Sequence, residues 1–244
     1  MLVARGVRSE TVEVAGQRLH HFSMKGTGKG PPLLLVHGLG GAASGFGRVL
    51  LPLARRFSHV YAVDLPGHGF SPEYCLGPTC VRGQYDMLVA YCRQVVGGPA
   101  FVVGNSLGGA LSALLAVEHP ELVSALGLVS PAGADVGHEL FREVLESMDV
   151  RTVEQSRALT QRLFHRPPWA MMFFANALKG LYNTPAVRAL SANVLPVAGL
   201  MALMEADIDA GVMPLRGDRL FHLRVAEASE NSPLLRVVTD LFDE

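Results

Sequence analysis

Ser106 lies in GNSLG, residues 104–108, which matches G-x-S-x-G. In a chain with 26 glycines that match alone is weak, because chance produces it readily. Its setting gives it weight. FVV before it reads as a buried strand and ALSALLAV after it as a helix, so the serine falls on a sharp strand-to-helix turn. Such a turn strains the backbone of its central residue. Gly104 and Gly108 carry no Cβ and let neighbouring chains come close. The start of the helix offers free N–H groups and the positive end of a dipole to a developing oxyanion. The chemistry is nucleophilic attack on a carbonyl. A lone serine hydroxyl is a weak nucleophile, so it needs a histidine base and a carboxylate that fixes the histidine tautomer.

HGLGG, residues 37–41, fits the other half of such a site. A glycine-rich loop after a central strand can turn a backbone N–H toward the reacting carbonyl. The expected oxyanion donors are the N–H of Leu39 and the N–H of Leu107.

These segments need a frame. TVEVAGQRLHHFSMKG (11–26) reads as a hairpin with Gly16 at its turn. PLLLVHG (32–38), HVYAVDLPG (59–67), FVVGNS and ALGLVSPAG (125–133) are apolar runs of strand length. Between them GRVLLPLARRF, YDMLVAYCRQVV and LGGALSALLAVEHP read as helices. Strands alternating with helices mean an α/β fold with a parallel sheet and helices on both faces. Ligands bind beyond the carboxyl ends of such strands, where HGLGG, DLPGHG and GNSLGG all fall.

Bulk composition narrows the function. With 244 residues, 49% hydrophobic and 18% charged, the chain can bury a substantial core. A net charge of −1 leaves no electrostatic footprint for nucleic acid. The nine histidines show no metal-ligand spacing, so neither a metal nor a cofactor is expected. Cys75, Cys80 and Cys92 form no C-x-x-C and read as free thiols. MLVARGVRSETVEV has no apolar signal core, and NVLPVAGLMALM is too short to span a bilayer. A cytoplasmic protein is expected.

VHGLGG, AVDLPGHGFS and VVGNSLGGALSALLAVEHPELVSALGLVSPAG together resemble the α/β-hydrolase superfamily, in particular its lid-bearing esterase, lipase and meta-cleavage hydrolase branch. The resemblance is continuous over residues 11 to 135. It implies a Ser106 nucleophile, an oxyanion hole from Leu39 and Leu107, and a helical cap. DLPGHG then resembles a structural turn in which Asp64 and His68 are hydrogen-bonded rather than catalytic. The implied organisation is a first core part over 1–134, a cap over 135–210 and the remainder of the core over 211–244.

The resemblance also implies an acid and then a histidine later in the chain. Asp218, after Gly217 and a short apolar piece, is the first candidate acid, with Asp135 the alternative. Beyond Asp218 the only histidine is His222, and no Gly-His pair occurs there. On a helix the four-residue spacing would put Asp218 and His222 on one face. His37, His119, His138 and His165 are weaker candidates for the base. A truncated hydrolase, an unusual base, or a pocket retained without catalysis all remain open. In the cap, Trp169, Met171, Met172, Phe173 and Phe174 either line an apolar pocket or fix the cap to the body. The expected function is serine hydrolysis of an apolar carboxylic ester. A binding protein on a catalytically impaired hydrolase fold and a C–C bond hydrolase are the alternatives.

Overall fold

The structure, a computed structural model, describes residues 6–77, 79–132, 143–144, 146–163 and 175–191. Its frame is a six-stranded sheet of β1 (Arg8–Val14), β2 (Gln17–Lys25), β3 (Leu33–Val36), β4 (His59–Val63), β5 (Ala100–Asn105) and β6 (Val123–Val129). The strand order is β1-β2-β4-β3-β5-β6. β1 and β2 form an antiparallel hairpin whose last pair is Val14 with Gln17. Its two-residue turn has Ala15 at φ +49 and Gly16 at φ +83, the positive pair that matches the twist of a hairpin. β2 joins β4 antiparallel. The β3–β4, β3–β5 and β5–β6 pairs are parallel.

The apolar run of β3 shows why both faces must be covered. Leu34 and Val36 enter one core with Tyr85, Leu88 and Tyr91 of helix α2 (Val81–Tyr91) and Leu111 and Leu115 of helix α3 (Leu107–Glu118). Leu33 and Leu35 alternate to the other face, against Leu50 and Ala54 of helix α1 (Gly47–Ala54). All four β3 side chains are buried, each contributing roughly 2 kcal/mol. The chain is thus mostly parallel with helices on both faces, as its alternating pattern implied.

The topology also decides where a site forms. From β3 the chain runs to β4 on one side, and β5 then enters on the other side of β3. The crevice at that reversal lies beyond the carboxyl ends of β3 and β5. HGLGG follows β3 and Ser106 follows β5, so the two candidate segments meet there.

Within the expected cap range, helices Val153–Leu163 and Ala175–Tyr182 are described, with further helical residues over 185–191. Thr184 caps that last stretch, its hydroxyl accepting from the Val187 N–H at 3.3 Å. The assignment of 211–244 to the core, and a final helix starting at Ser232-Pro233, lie outside the described residues. No helix among the described residues is long and apolar enough to cross a membrane.

Candidate active site

Ser106 has φ +51 and ψ −118, a backbone conformation that L residues rarely adopt. It joins the end of β5 to the first turn of α3. Its N–H donates to Val129 O at 3.1 Å, and its carbonyl accepts from Ala110 N at 3.1 Å and Ala132 N at 3.0 Å. These bonds hold a residue that would otherwise relax. The glycines around it fulfil the close approach expected of them. A Cβ on Gly104 would stand 2.2 Å from the Gly108 carbonyl oxygen. One on Gly108 would stand 2.4 Å from the carbonyl oxygens of both Val36 and His37. The start of α3 is therefore pressed directly onto the end of β3.

The Ser106 side chain makes no capping bond to its own helix. Among the described residues its hydroxyl has no hydrogen-bond partner, and it sits at a helix N-terminus, where the first N–H groups have no intrahelical acceptor. Leu107 is the first of those residues.

The HGLGG segment folds over Ser106. Gly41 N–H donates to Gly38 O at 2.9 Å, closing a turn with Gly40 at φ +67 in its third position, as a type II turn requires. A Cβ on Gly38 would stand 2.9 Å from Ser106 Cβ, so the loop and the serine are in contact there. Leu39 packs against an apolar cluster of Val150, Leu159, Tyr182 and Val187. Tyr182 in turn lies on Gly40, and Ala186 on Gly67 of the turn after β4. No sequence pattern pointed to the contact of Tyr182 and Ala186 with these two turns. The Thr184-Pro185 cap signal could have placed a helix start beside it.

His37 holds the loop from beneath. The Leu65 N–H donates to its Nε2 at 3.1 Å, so Nδ1 carries the hydrogen and donates to Gly38 O at 2.7 Å. Burial, and secondarily the neighbouring His68, lower its pKa to about 4. With both nitrogens engaged, His37 has no free position to act as a base toward Ser106. His68 bonds Pro66 O through Nδ1 at 3.0 Å, and its buried Nε2 has no partner among the described residues. Burial lowers its pKa as well.

Asp64 behaves as a turn residue. Fully buried, it accepts from Ala43 N at 2.6 Å and Phe70 N at 3.1 Å and pairs with His20 Nδ1 at 2.7 Å. His119 ends α3, about 20 Å along the helix from Ser106, and is bonded to Arg93. Asp218, His222, Asp135, His138 and His165 lie outside the described residues, as do Trp169 and Met171 to Phe174. Among the described residues, no group of His, Cys, Asp and Glu could hold a metal ion.

A strained serine between a parallel strand and a helix, with a glycine loop from the neighbouring strand folded over it, defines an α/β-hydrolase. The model of the Alpha/beta hydrolase family matches residues 33–240, and the chain belongs to that family. The pimeloyl-(acyl-carrier protein) methyl ester esterase of Chromobacterium violaceum is 35% identical over 188 residues, 75% of this chain and 70% of that protein. The 2-hydroxy-6-oxo-6-(2'-aminophenyl)hexa-2,4-dienoic acid hydrolase of Metapseudomonas resinovorans is 36% identical over 124 residues, 48% of this chain and 42% of that protein. A crystal structure assigned as a lipase of Acinetobacter baumannii superposes with a TM-score of 0.70 at 24% identity, covering 80% of this chain and 67% of that one. At that identity the likeness is one of fold.

Proposed function

We propose that the chain is a serine hydrolase that cleaves carboxylic esters of apolar small molecules through an acyl-enzyme on Ser106. The observation that carries this reading is the backbone of Ser106, held at φ +51 between β5 and α3 with no bond from its side chain to its own helix. Ser106 Oγ attacks the ester carbonyl and passes its proton to a histidine, assigned to His222 with Asp218 as its orienting acid. The N–H groups of Leu39 and Leu107 hold the tetrahedral oxyanion. The alcohol leaves with the proton, and water then releases the acid by the reverse sequence.

An apolar substrate is favoured by what surrounds the serine. Val129, whose carbonyl accepts the Ser106 N–H, is 51% exposed, and Leu128 beside it 36%. The cap cluster over Leu39 is wholly apolar apart from the Tyr182 hydroxyl. A cap over 135–210 belongs to the same reading. So does a reducing, cytoplasmic location, in keeping with three free cysteines of which Cys75 is exposed.

The test is a fluorophosphonate probe on the whole chain beside Ser106→Ala, with the adduct mapped to its peptide. A fast adduct on Ser106 supports the reading, and His222→Ala should then slow it by at least about a hundredfold. A folded protein with no adduct on Ser106 overturns it in favour of a binding protein on a retired fold. The dienoic acid hydrolase relative favours a second reading, C–C cleavage on the same serine. Faster turnover of a vinylogous diketone than of an aryl ester would select it.

A further inference from the structure

A second serine, remote in sequence from Ser106, is wired to a histidine and a carboxylate. Ser9 is exposed on β1. Its Oγ lies 2.8 Å from His20 Nε2, and His20 Nδ1 lies 2.7 Å from Asp64 Oδ2. A carboxylate that already accepts the Ala43 and Phe70 N–H groups can only accept from the imidazole. Nδ1 therefore carries the hydrogen, and Nε2 is the acceptor for the Ser9 hydroxyl. This is the order of groups that activates a serine.

The imidazole is held in place from several sides. The His20 N–H donates to Ser71 Oγ at 2.8 Å. Phe22 and Phe70 meet its ring edge-on, each with centroids 4.9 Å away. His20 is only 5% exposed, whereas Phe70 is 70% exposed and presents an apolar face beside the buried base. The proposed hydrolysis at Ser106 uses none of this.

We propose that Ser9 is a second, base-activated serine that accepts acyl or phosphonyl groups from activated donors and retains them. It lies inside a strand, whose N–H groups point along the ladder rather than at its own side chain. Without a convergent pair of donors, a tetrahedral oxyanion is not held. The donor must bring a good leaving group, as an aryl ester or a phosphonyl fluoride does. The Oγ–C or Oγ–P bond forms as the serine proton moves to His20 Nε2. The bond to aryloxide or fluoride breaks, and the leaving group takes that proton from the imidazolium. Deacylation would need the same missing donors, so the adduct persists.

The experiment uses the Ser106→Ala chain, so its outcome is independent of the proposed hydrolysis. That protein is incubated with a fluorophosphonate, and adducts are mapped by peptide mass over time. Ser58, an exposed serine bonded to no histidine among the described residues, is the internal reference. Expected is an adduct on Ser9 forming about a hundredfold faster than on Ser58, the usual contribution of a positioned base. It is absent from Ser106→Ala/Ser9→Ala and slowed to the Ser58 rate in a folded His20→Gln chain. Labelling of Ser9 no faster than Ser58 overturns the proposal and reduces the bond to a tie between β1 and β2.

Discussion

Tyr182, at the end of the helix Ala175–Tyr182, and Gly40 of the loop over Ser106 are in direct contact, so that a Cβ on Gly40 would stand 2.9 Å from Tyr182 Cε1. The same loop is where the Leu39 N–H is proposed to hold the oxyanion. Gly40→Ala meets two obstacles. Its φ of +67 costs an alanine roughly 1–2 kcal/mol, and the new methyl meets the ring. The expected result is a chain less stable by about 2–3 kcal/mol, with Tm lower by about 5–10 °C. Ester turnover should fall more in kcat than in KM, because the loop shifts rather than the binding surface. Adding Tyr182→Leu should return the part due to the ring and leave the part due to φ. A double-mutant cycle in urea measures that difference, and strict additivity would refute the contact as a coupling.

Gly108 offers a sharper test of how the turn is built. Its added methyl would sit 2.4 Å from two backbone carbonyl oxygens, and neither strand nor helix can withdraw without breaking β3. Gly108→Ala should destabilise by about 3 kcal/mol or more, enough to lower the soluble yield. Gly98→Ala is the control, because nothing lies within 4 Å of its would-be Cβ. That change should be neutral or stabilise by up to about 1 kcal/mol. Comparable urea midpoints for the two variants would contradict the close approach.

Asp64 joins three segments: Ala43 beyond the loop, Phe70 beyond the β4 turn and His20 of β2. Asp64→Asn keeps the shape but replaces one acceptor oxygen by a donor. Whichever way the amide turns, a buried N–H faces another donor. The expected cost is about 3 kcal/mol, read as a shift in the urea midpoint. A change within about 0.5 kcal/mol would mean that the network has another way to satisfy itself.

Much of this arrangement was legible in the chain because local signals and tertiary demands agreed. The apolar runs of β3 to β5 are buried or half-buried as a parallel sheet requires, β6 is so except at Leu128 and Val129, and GNSLG and HGLGG lie against each other because β5 and β3 are neighbours. Asp64 as a turn residue was also readable from DLPGHG. The Ser9–His20–Asp64 chain was not. Its members lie 11 and 44 residues apart, and only the β1–β2 register and the β2–β4 pairing bring them together. The Tyr182–Gly40 contact was hidden for a similar reason, since nothing local around Tyr182 says which loop it covers. The proposed acid and base, Asp218 and His222, rest on chain order, the Gly217 before the aspartate and their four-residue spacing, because RLFHLR carries no glycine turn to fix the histidine.

The buried histidines set a pH dependence of stability whose sign is fixed. His37 keeps the neutral form in the folded chain, its pKa lowered to about 4 by burial and by His68. In the unfolded chain it takes up a proton at the ordinary value of 6.5. The unfolded state therefore binds more protons between those values, so stability is full above pH 6.5 and is lost as pH falls toward 4. The limiting slope is about 1.4 kcal/mol per pH unit for one group. His68 and His21, both lowered chiefly by burial, act in the same direction. Urea unfolding at pH 7.5 and pH 5.5 compares the two ends of a window above the ordinary carboxylate range. The midpoint at pH 5.5 should correspond to a loss of about 1 kcal/mol or more. An unchanged or higher midpoint there would show that His37 accepts a proton within the fold, and its bond to the Leu65 N–H would have to be broken at acid pH.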